Sequence, residues 1–252
     1  RHDALLVATG VYKPRGLAVD GKQLGGVVEA IDYLIASNRI GFGDDVPAFD
    51  DGTLNAAGKN VVVVGGGDTA MDCVRTAIRQ GAASVHCLYR RDRANMPGSQ
   101  REVANAEEEG VVFDWLSAPE AFLRTDKVTG VTVRGMRLGT ADASGRRAPE
   151  ADPDRVSEIA ADLVITALGF DPEALPNLFG APELGVTRWG TLRVNQSMMT
   201  NMDGVFAAGD IVRGASLVVW GIRDGRDVAA HINTWLNALD PADVRKSERE
   251  AV

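Results

Sequence analysis

Four valines followed by three glycines, at 61–67, constrain the fold of this chain more than any other feature. Consecutive β-branched residues are typical of a strand buried on both faces, as in a parallel sheet. The glycines allow a turn tighter than bulkier residues can follow. From Asp68 onward, the apolar residues Ala70, Val74 and Ala77 have helical spacing. The stretch therefore predicts a strand, a tight turn and a helix in direct succession.

The same turn matches the dinucleotide-binding fingerprint, with alanine in its third fixed position. The residues of this motif are Gly65, Gly66, Gly67, Asp68, Thr69 and Ala70. In such a turn, backbone N–H groups and the positive end of the helix meet a pyrophosphate. A second strand predicted at Ser84–Arg90 completes a βαβ unit. A glycine-rich turn can also serve packing alone, but its setting between strand and helix favours nucleotide binding.

Arginines follow the second strand of this unit immediately, at Arg90, Arg91 and Arg93. Where a site takes NAD, an acidic residue about 20 positions beyond the glycines binds the ribose 2′-hydroxyl, whereas arginine there suits a 2′-phosphate. Arg90 lies 25 positions after Gly65, and no Asp or Glu precedes it in the strand. Guanidinium groups match a phosphate well. A solvated basic turn is the alternative, but the pattern favours NADPH over NADH.

The net charge of −8 argues against a surface for nucleic acid or for an anionic membrane. No apolar run approaches the ~20 residues of a membrane span, and no signal peptide is visible. We therefore expect a soluble, cytoplasmic protein without a nucleic-acid or membrane partner.

Cys73 and Cys87 are the only cysteines. One lies on the helix after the glycines and the other in the next strand, so buried free thiols are expected. There is no CxxC pair, which excludes a redox dithiol and an iron–sulfur site from this stretch of chain. We expect no metal site and no catalytic side chain.

The remaining segments give a coarse secondary structure. Strands are expected at Ala4–Ala8, Val111–Trp115, Gly130–Leu138, Gly190–Val194 and Val205–Ala208, and helices at Val27–Asn38, Ser99–Glu109 and Leu217–Leu236. Linkers or loops are expected at Val11–Gly26 and Gly41–Lys59, a polar surface loop or hairpin at Gly139–Glu158, and a frayed end at Asp240–Val252.

One internal echo is present, between Asp3–Gly10 and Asp162–Phe170. Each has an acidic residue, an apolar β run and then a small residue with a glycine. Two such strand-and-turn units indicate two related nucleotide folds, and we expect Thr9, Gly10, Ala167 and Gly169 to bind cofactor. The chain starts at Arg1 and enters a strand almost at once, so we expect it to be part of a longer polypeptide.

The strand Val205–Ala208 delivers Gly209 and Asp210 at its carboxyl end, where ligands bind in open α/β folds. An aspartate at a strand end also commonly caps a turn, and for Asp210 both readings stay open. A long helix then begins near Leu217 and Val218.

Strings along nearly the whole chain resemble one family. They are LLVATGVYKPR, NVVVVGGGDTAMDCVRTA, CLYRRDRANMPGSQREV, LVITALGF and TNMDGVFAAGDIVRGASLVVWGIRDGRD. The chain resembles the flavoprotein disulfide reductase superfamily with two dinucleotide-binding domains. Within it, the resemblance is to the small (beta) subunits of bacterial NADPH-dependent glutamate synthases.

This resemblance implies a Rossmann-like α/β domain, with a central parallel sheet, inserted into an FAD-binding domain. Residues 17–169 would bind NADPH, and residues 1–16 and 170–252 would be incomplete FAD-binding segments. Gly65–Ala70 would hold the pyrophosphate, and Arg90 and Arg91 the 2′-phosphate. Gly209 and Asp210 would contact the ribityl and phosphate part of FAD, and Leu217 and Val218 the flavin pyrimidine edge.

The resemblance also implies the reaction. Such a subunit passes hydride from NADPH to FAD, and electrons through two 4Fe–4S clusters to a large (alpha) subunit that forms L-glutamate from glutamine and 2-oxoglutarate. The cysteine-rich cluster region and the first FAD-binding βαβ unit are not in this sequence, so we expect this stretch alone to be inactive. Two alternatives stay open: a subunit like those of dihydropyrimidine dehydrogenase or ferredoxin–NADP reductase, and a catalytically silent nucleotide-binding module.

Overall fold

The computed structural model of the chain describes residues 2–21, 24–124, 126–141 and 147–239. The chain forms two compact units, of which one is Pro14–Gly169 and the other combines Arg1–Lys13 with Phe170–Val252. The first unit starts three residues before the expected Leu17.

In chain order the strands and helices are β1 (Leu5–Val7), β2 (Lys13–Pro14), β3 (Val27–Glu29), α1 (Ala30–Gly41), α2 (Pro47–Asp50), β4 (Asn60–Val64), α3 (Asp68–Arg79), β5 (Ser84–Tyr89), a 3₁₀ turn (Arg93–Asn95), α4 (Gln100–Glu108), β6 (Val112–Trp115), β7 (Ser117–Arg124), β8 (Val128–Ala141), β9 (Arg147–Ala160), β10 (Leu163–Thr166), β11 (Phe170–Asp171), α5 (Leu175–Leu178), β12 (Val205–Ala207), α6 (Asp210–Arg213) and α7 (Val218–Ala238).

A five-stranded sheet in the order β3-β10-β4-β5-β6 is the centre of the unit Pro14–Gly169. Every neighbouring pair in it is parallel. Parallel neighbours need a crossover connection, and α3 supplies it between β4 and β5. The predicted α/β, Rossmann-like class with a central parallel sheet is confirmed.

The valines of β4 explain why this strand lies in the middle of the sheet. Val61 and Val63 belong to a core that includes Met71 and Val74 of α3. Val62 and Val64 belong to a second core on the other face. Because side chains alternate between faces, four consecutive apolar residues are needed where both faces are covered.

An antiparallel sheet in the order β7-β8-β9 belongs to the same unit. Its apolar residues Phe122, Val131 and Val133 pack in one core with Val62 and Val64 of β4. The parallel sheet is therefore covered by helices on one face and by this small sheet on the other.

The second unit is built around a parallel pair, β1 and β12. Phe206 and Ala208 pack with Val228 of α7, and Ala207 packs in a separate core with Leu175 and Leu192. The rings of Phe206 and Trp235 meet edge to face, 6.3 Å apart. In the remaining two-stranded sheet, β2 pairs with β11.

Several segment predictions need correction. Val27–Asn38 is not one helix, because its first three residues form β3, whose valines pair with β10. Strand β7 was not predicted, and Gly190–Val194 is not a strand. For Gly139–Glu158 the hairpin alternative is confirmed, since most of the stretch belongs to the hairpin of β8 and β9. Residues 142–146 and the tail, 240–252, lie outside the described residues.

Within the described residues, no helix is both long enough and apolar enough to span a membrane.

Candidate functional site

A cleft of about 740 Å³ opens in the unit Pro14–Gly169, where β4, β5 and β10 end. Eight of the residues that the sequence predicts for cofactor binding line it: Gly65, Gly66, Gly67, Thr69, Arg90, Arg91, Ala167 and Gly169. The carboxyl ends of parallel strands are where open α/β sheets bind ligands.

Gly65 and Gly66 are glycines because their neighbours leave no room for a side chain. Gly65 has a φ of +152°, and a Cβ added there would overlap the backbone oxygen of Ala167. A Cβ on Gly66 would overlap the ring of Tyr89. The ring is fixed by a hydrogen bond from the Tyr89 hydroxyl to the Asn95 carbonyl oxygen, 2.9 Å long. These two glycines therefore serve the packing of the turn.

Gly67 differs from them. A Cβ added at Gly67 would meet no heavy atom within 4 Å, so packing does not require glycine there. Gly67 is the N-cap of α3, and no side chain caps that helix end. The first backbone N–H groups of a helix have no partner inside it and carry partial positive charge. Gly67 thus lies at an uncapped helix end with open space beside it.

Arg90 and Arg91 lie at the cleft directly after β5. Arg90 is exposed and Arg91 is half-buried. Among the described residues, the Nε of Arg91 is buried and has no hydrogen-bond partner. A buried donor without a partner costs stability. Arg93 is not a lining residue of the cleft, and its Nη1 pairs with Glu107 at 2.8 Å.

Asp68 and Ala70, the other two fingerprint residues, do not line the cleft. The Asp68 carboxylate accepts a hydrogen bond of 3.0 Å from the backbone N–H of Ser99. Ala70 is fully buried in the core beneath α3, which agrees with the close helix–sheet packing that the third fingerprint position provides.

Sequence reasoning missed a second group of lining residues. Arg15 and Leu17 lie in the segment expected to be a linker, Asn95 and Pro97 follow the arginines, and Ser117 begins the unpredicted β7. Arg15 was within reach of sequence reasoning, since it is a cation in one of the quoted strings. Ser117 had no local signal.

The second unit has a cleft of its own, of about 420 Å³, beside β12 and α7. Of the residues predicted to bind FAD, five line it: Gly10, Gly209, Asp210, Leu217 and Val218. Thr9 lines a neighbouring pocket of about 400 Å³ instead.

Asp210 has a defined structural role. Its Oδ1 accepts a hydrogen bond of 2.7 Å from the Ser216 hydroxyl. Gly209 before it has a φ of +76°, a left-handed conformation that glycine adopts readily. Leu217 is the N-cap of the 21-residue α7, and no side chain caps that end. This helix end therefore faces the cleft with unpaired N–H groups.

The family model for pyridine nucleotide-disulphide oxidoreductases matches residues 1–240. The chain belongs to this family.

Relatives of this chain include glutamate synthase (NADPH) small chains. It is 63% identical to that of Azospirillum brasilense, over 97% of this chain and 51% of the relative. It is 64% identical to the putative small chain of Cereibacter sphaeroides, over 94% of this chain and 57% of the relative. The chain spans about half the length of the curated relatives it matches.

The fold has solved counterparts. FprA of Mycobacterium tuberculosis, in complex with NADPH, matches with a TM-score of 0.74 and 18% identity. The match covers 98% of this chain and 68% of FprA. At this identity the likeness concerns the fold.

Cys73 and Cys87 are free and buried, which confirms the sequence prediction. Burial raises the pKa of the Cys87 thiol to about 12 and also raises the pKa of Cys73. Among the described residues, no group of three or more His, Cys, Asp or Glu side chains is placed to hold a metal ion.

Proposed function

We propose that this chain is the nucleotide-handling part of an NADPH-dependent glutamate synthase small subunit. The unit Pro14–Gly169 would bind NADPH, and the unit formed by residues 1–13 and 170–252 would provide part of an FAD site. The identity of 63% to a glutamate synthase (NADPH) small chain over nearly the whole sequence supports this assignment.

One observation carries the nucleotide assignment: a single cleft is lined by the uncapped turn at Gly67 and by both arginines that follow β5. The two features lie 23 or more residues apart in sequence, and only the fold brings them to one cavity. A turn with free N–H groups suits a pyrophosphate. Paired guanidinium groups suit a second phosphate.

The arginines make NADPH the preferred nucleotide over NADH. The 2′-phosphate is the only group that distinguishes the two, and it is dianionic or nearly so at neutral pH. Arg91 lines the cleft, and its buried Nε has no hydrogen-bond partner among the described residues, which supports a role in holding such an acceptor. An acidic residue at the end of β5 would instead favour the 2′-hydroxyl of NADH, and both residues there are cationic.

The second cleft fits part of an FAD molecule. A Cβ at Gly209 would meet no heavy atom within 4 Å, so the backbone there is open to a ligand. Asp210, whose Oδ1 accepts from the Ser216 hydroxyl, lines the same cleft. The uncapped start of α7 would place N–H groups near an electron-rich ring edge. When bound, nicotinamide and flavin supply the hydride and electron chemistry, and the side chains of this chain orient them and exclude water.

Further parts of the proposal concern the complete subunit. Electrons would leave through 4Fe–4S clusters held outside this sequence, and reach a large (alpha) subunit that forms glutamate. The relative in Azospirillum brasilense is a small chain, which supports a larger partner. Two free buried thiols are in keeping with a reducing, cytoplasmic compartment.

The nucleotide assignment is tested by calorimetric titration of this chain with NADP⁺ and NAD⁺. We expect NADP⁺ to bind at least ten times more tightly. Equal affinities, or binding of neither, would contradict the assignment.

The electron path is tested on the native protein, purified anaerobically from its source. We expect flavin absorption on a broad iron–sulfur background, bleached by NADPH, and NADPH-dependent glutamate formation from glutamine and 2-oxoglutarate. Flavin bleaching without iron–sulfur absorption or glutamate formation would indicate another NADPH oxidoreductase. A colourless protein that still binds NADP⁺ would leave a silent nucleotide module.

A further inference from the structure

Asp68 is the first residue of α3 and directly follows the glycine turn, residues 65–67, yet its carboxylate bonds to another segment. Oδ1 accepts a hydrogen bond of 3.0 Å from the backbone N–H of Ser99, 31 residues further along the chain. This bond joins the end of the glycine turn to the segment between β5 and α4.

A second bond supports the same junction. The backbone N–H of Gly98 donates to the carbonyl oxygen of Gly66 at 2.9 Å. A Cβ on Gly98 would lie only 3.1 Å from that oxygen, so the approach is close enough to favour glycine. Met96, two residues earlier, is buried. Consecutive residues of the segment are therefore fastened to the glycine turn.

The other end of the segment carries the arginines. Arg90 and Arg91 follow β5, and Asn95 is held between two partners. Its carbonyl oxygen accepts from the Tyr89 hydroxyl at 2.9 Å, and its backbone N–H and side-chain amide donate to Asp92 Oδ1 at 2.9 and 2.7 Å. We call residues 90–99 the arginine segment. It is held at the arginine end by Asn95 and at the turn end by Asp68.

We infer that Asp68 is a positioning residue for the selectivity of NADPH over NADH, because it fixes the arginine segment against the glycine turn. The inference rests on the proposed nucleotide site. NADPH would contact both the turn and the arginines, so its affinity depends on the spacing between them. NADH would contact the turn but gain nothing from the arginines. Loss of the Asp68–Ser99 bond should therefore weaken NADPH more than NADH.

The negative charge of Asp68 should lower the affinity for both nucleotides, whereas its hydrogen bond to Ser99 should raise the affinity for NADPH. The effect of the charge and the effect of the bond can therefore be measured separately. A carboxylate near a pyrophosphate repels it, so removal of the charge alone should strengthen both nucleotides alike. Asp68→Asn removes the charge but keeps an oxygen that can accept from Ser99, whereas Asp68→Ala removes both.

The bond can also be removed from its donor side. Ser99 is the N-cap of α4 with a φ of −56°, which proline adopts without strain while it lacks the N–H. Ser99→Pro should therefore reproduce the effect of Asp68→Ala. In the double variant the two effects should not add, because both remove one bond.

The experiment is calorimetric titration of the chain and its variants with NADP⁺ and with NAD⁺. In Asp68→Ala and Ser99→Pro we expect the ratio of the two affinities to fall about fivefold, the size of one ordinary hydrogen bond. Asp68→Asn should keep the ratio of the unsubstituted chain. Asp44→Ala is the control for charge, since Asp44 is an exposed carboxylate paired with Arg39.

The outcomes separate this inference from the proposed function. An unchanged ratio in Asp68→Ala, or equal weakening of both nucleotides, overturns the positioning role while the site stands. Additive effects of Asp68→Ala and Ser99→Pro overturn it as well. An unsubstituted chain that binds NADP⁺ and NAD⁺ equally, or neither, overturns the proposed function and this inference with it.

Discussion

The Arg213 guanidinium donates two hydrogen bonds to the Asp224 carboxylate, Nη2 to Oδ1 at 2.5 Å and Nε to Oδ2 at 3.0 Å. Only 8% of the Asp224 side chain is exposed, against 39% for Arg213. Arg213 ends α6 and Asp224 lies in the second turn of α7. The pair therefore ties the segment that begins at Gly209 to the helix whose start faces the same cleft.

Asp224→Asn should destabilise this unit. The asparagine amide is uncharged and offers one acceptor oxygen in place of the two that Arg213 now bonds, and loss of a hydrogen bond to a charged group costs about 1.5–3 kcal/mol. Unfolding in urea, followed by tryptophan fluorescence, is a suitable measurement because Trp189, Trp220 and Trp235 belong to this unit. Asp227→Asn is the matched control, since Asp227 is 52% exposed and pairs with Arg223 at 3.5 Å. Equal losses in both variants would contradict the prediction.

The same pair predicts a pH dependence. The Arg213 guanidinium holds the pKa of Asp224 below its usual value. A lowered pKa in the folded state means that the stabilisation is fully present above the unfolded pKa of about 3.9. It is lost as the pH falls from there through the folded pKa. The free energy of unfolding of Asp224→Asn should therefore fall less steeply below about pH 4 than that of the unsubstituted chain. Parallel pH profiles would contradict this.

Replacing Arg90 and Arg91 by alanine should weaken NADP⁺ far more than NAD⁺. Each lost charge-assisted hydrogen bond costs about 1.5–3 kcal/mol, or roughly 10–150-fold in affinity. NAD⁺ lacks the 2′-phosphate and should lose little. Arg93→Ala is the matched control, because Arg93 pairs with Glu107 and does not line the cleft. Equal losses for both nucleotides would assign the arginines another role.

Alanine at Gly66 and at Gly67 should have opposite signatures. At Gly66 the methyl group would overlap the Tyr89 ring, so we expect a fall in the free energy of unfolding of about 1–3 kcal/mol. At Gly67 the methyl group meets no protein atom, so stability should stay within about 0.5 kcal/mol. The affinity for both nucleotides should nevertheless fall, and Gly67→Val should abolish binding. Thermal unfolding and titration of the same samples measure the two effects; unchanged affinity in Gly67→Val would contradict the fingerprint assignment.

The central elements of this fold can be predicted from local sequence. Strand β4, the turn and α3 were predictable because their signals lie within seventeen consecutive residues, 61–77, and β5 was predicted to within one residue of its observed end at Tyr89. The valine run predicted β4 correctly because both faces of this strand are buried. A continuous apolar run then identifies the strand without information on which elements cover each face.

Non-local pairing explains the errors. Val27–Glu29 becomes a strand because β10, more than 130 residues away, pairs with it, while its apolar spacing continues smoothly into α1. Strand β7 contains Pro119 and alternates poorly, and its register is set by β8. The roles of Gly66 and Asp68 also depend on distant partners, Tyr89 and Ser99, so the fingerprint alone assigns both to the nucleotide.

Cys73 and Cys87 should resist thiol reagents in the folded chain. Both side chains are fully buried, and burial raises the pKa of Cys87 to about 12. The thiolate is the reactive form, so access and ionisation both oppose reaction. With Ellman's reagent at pH 8 we expect almost no colour from the native chain and two equivalents of thiol after unfolding in urea.

The control for this measurement is Ala57→Cys, which adds a thiol at an exposed position. It should react at once with one equivalent while the two native thiols stay silent. Raising the pH to 9 should speed the reaction of the added thiol with the reagent. The two native thiols should stay unreactive, since their pKa values lie well above that pH. Rapid reaction of either native cysteine would contradict the closed packing between α3 and β5. The Cys87 thiol donates to the Gly65 carbonyl oxygen at 3.5 Å, so separation of α3 from β5 would also loosen the glycine turn.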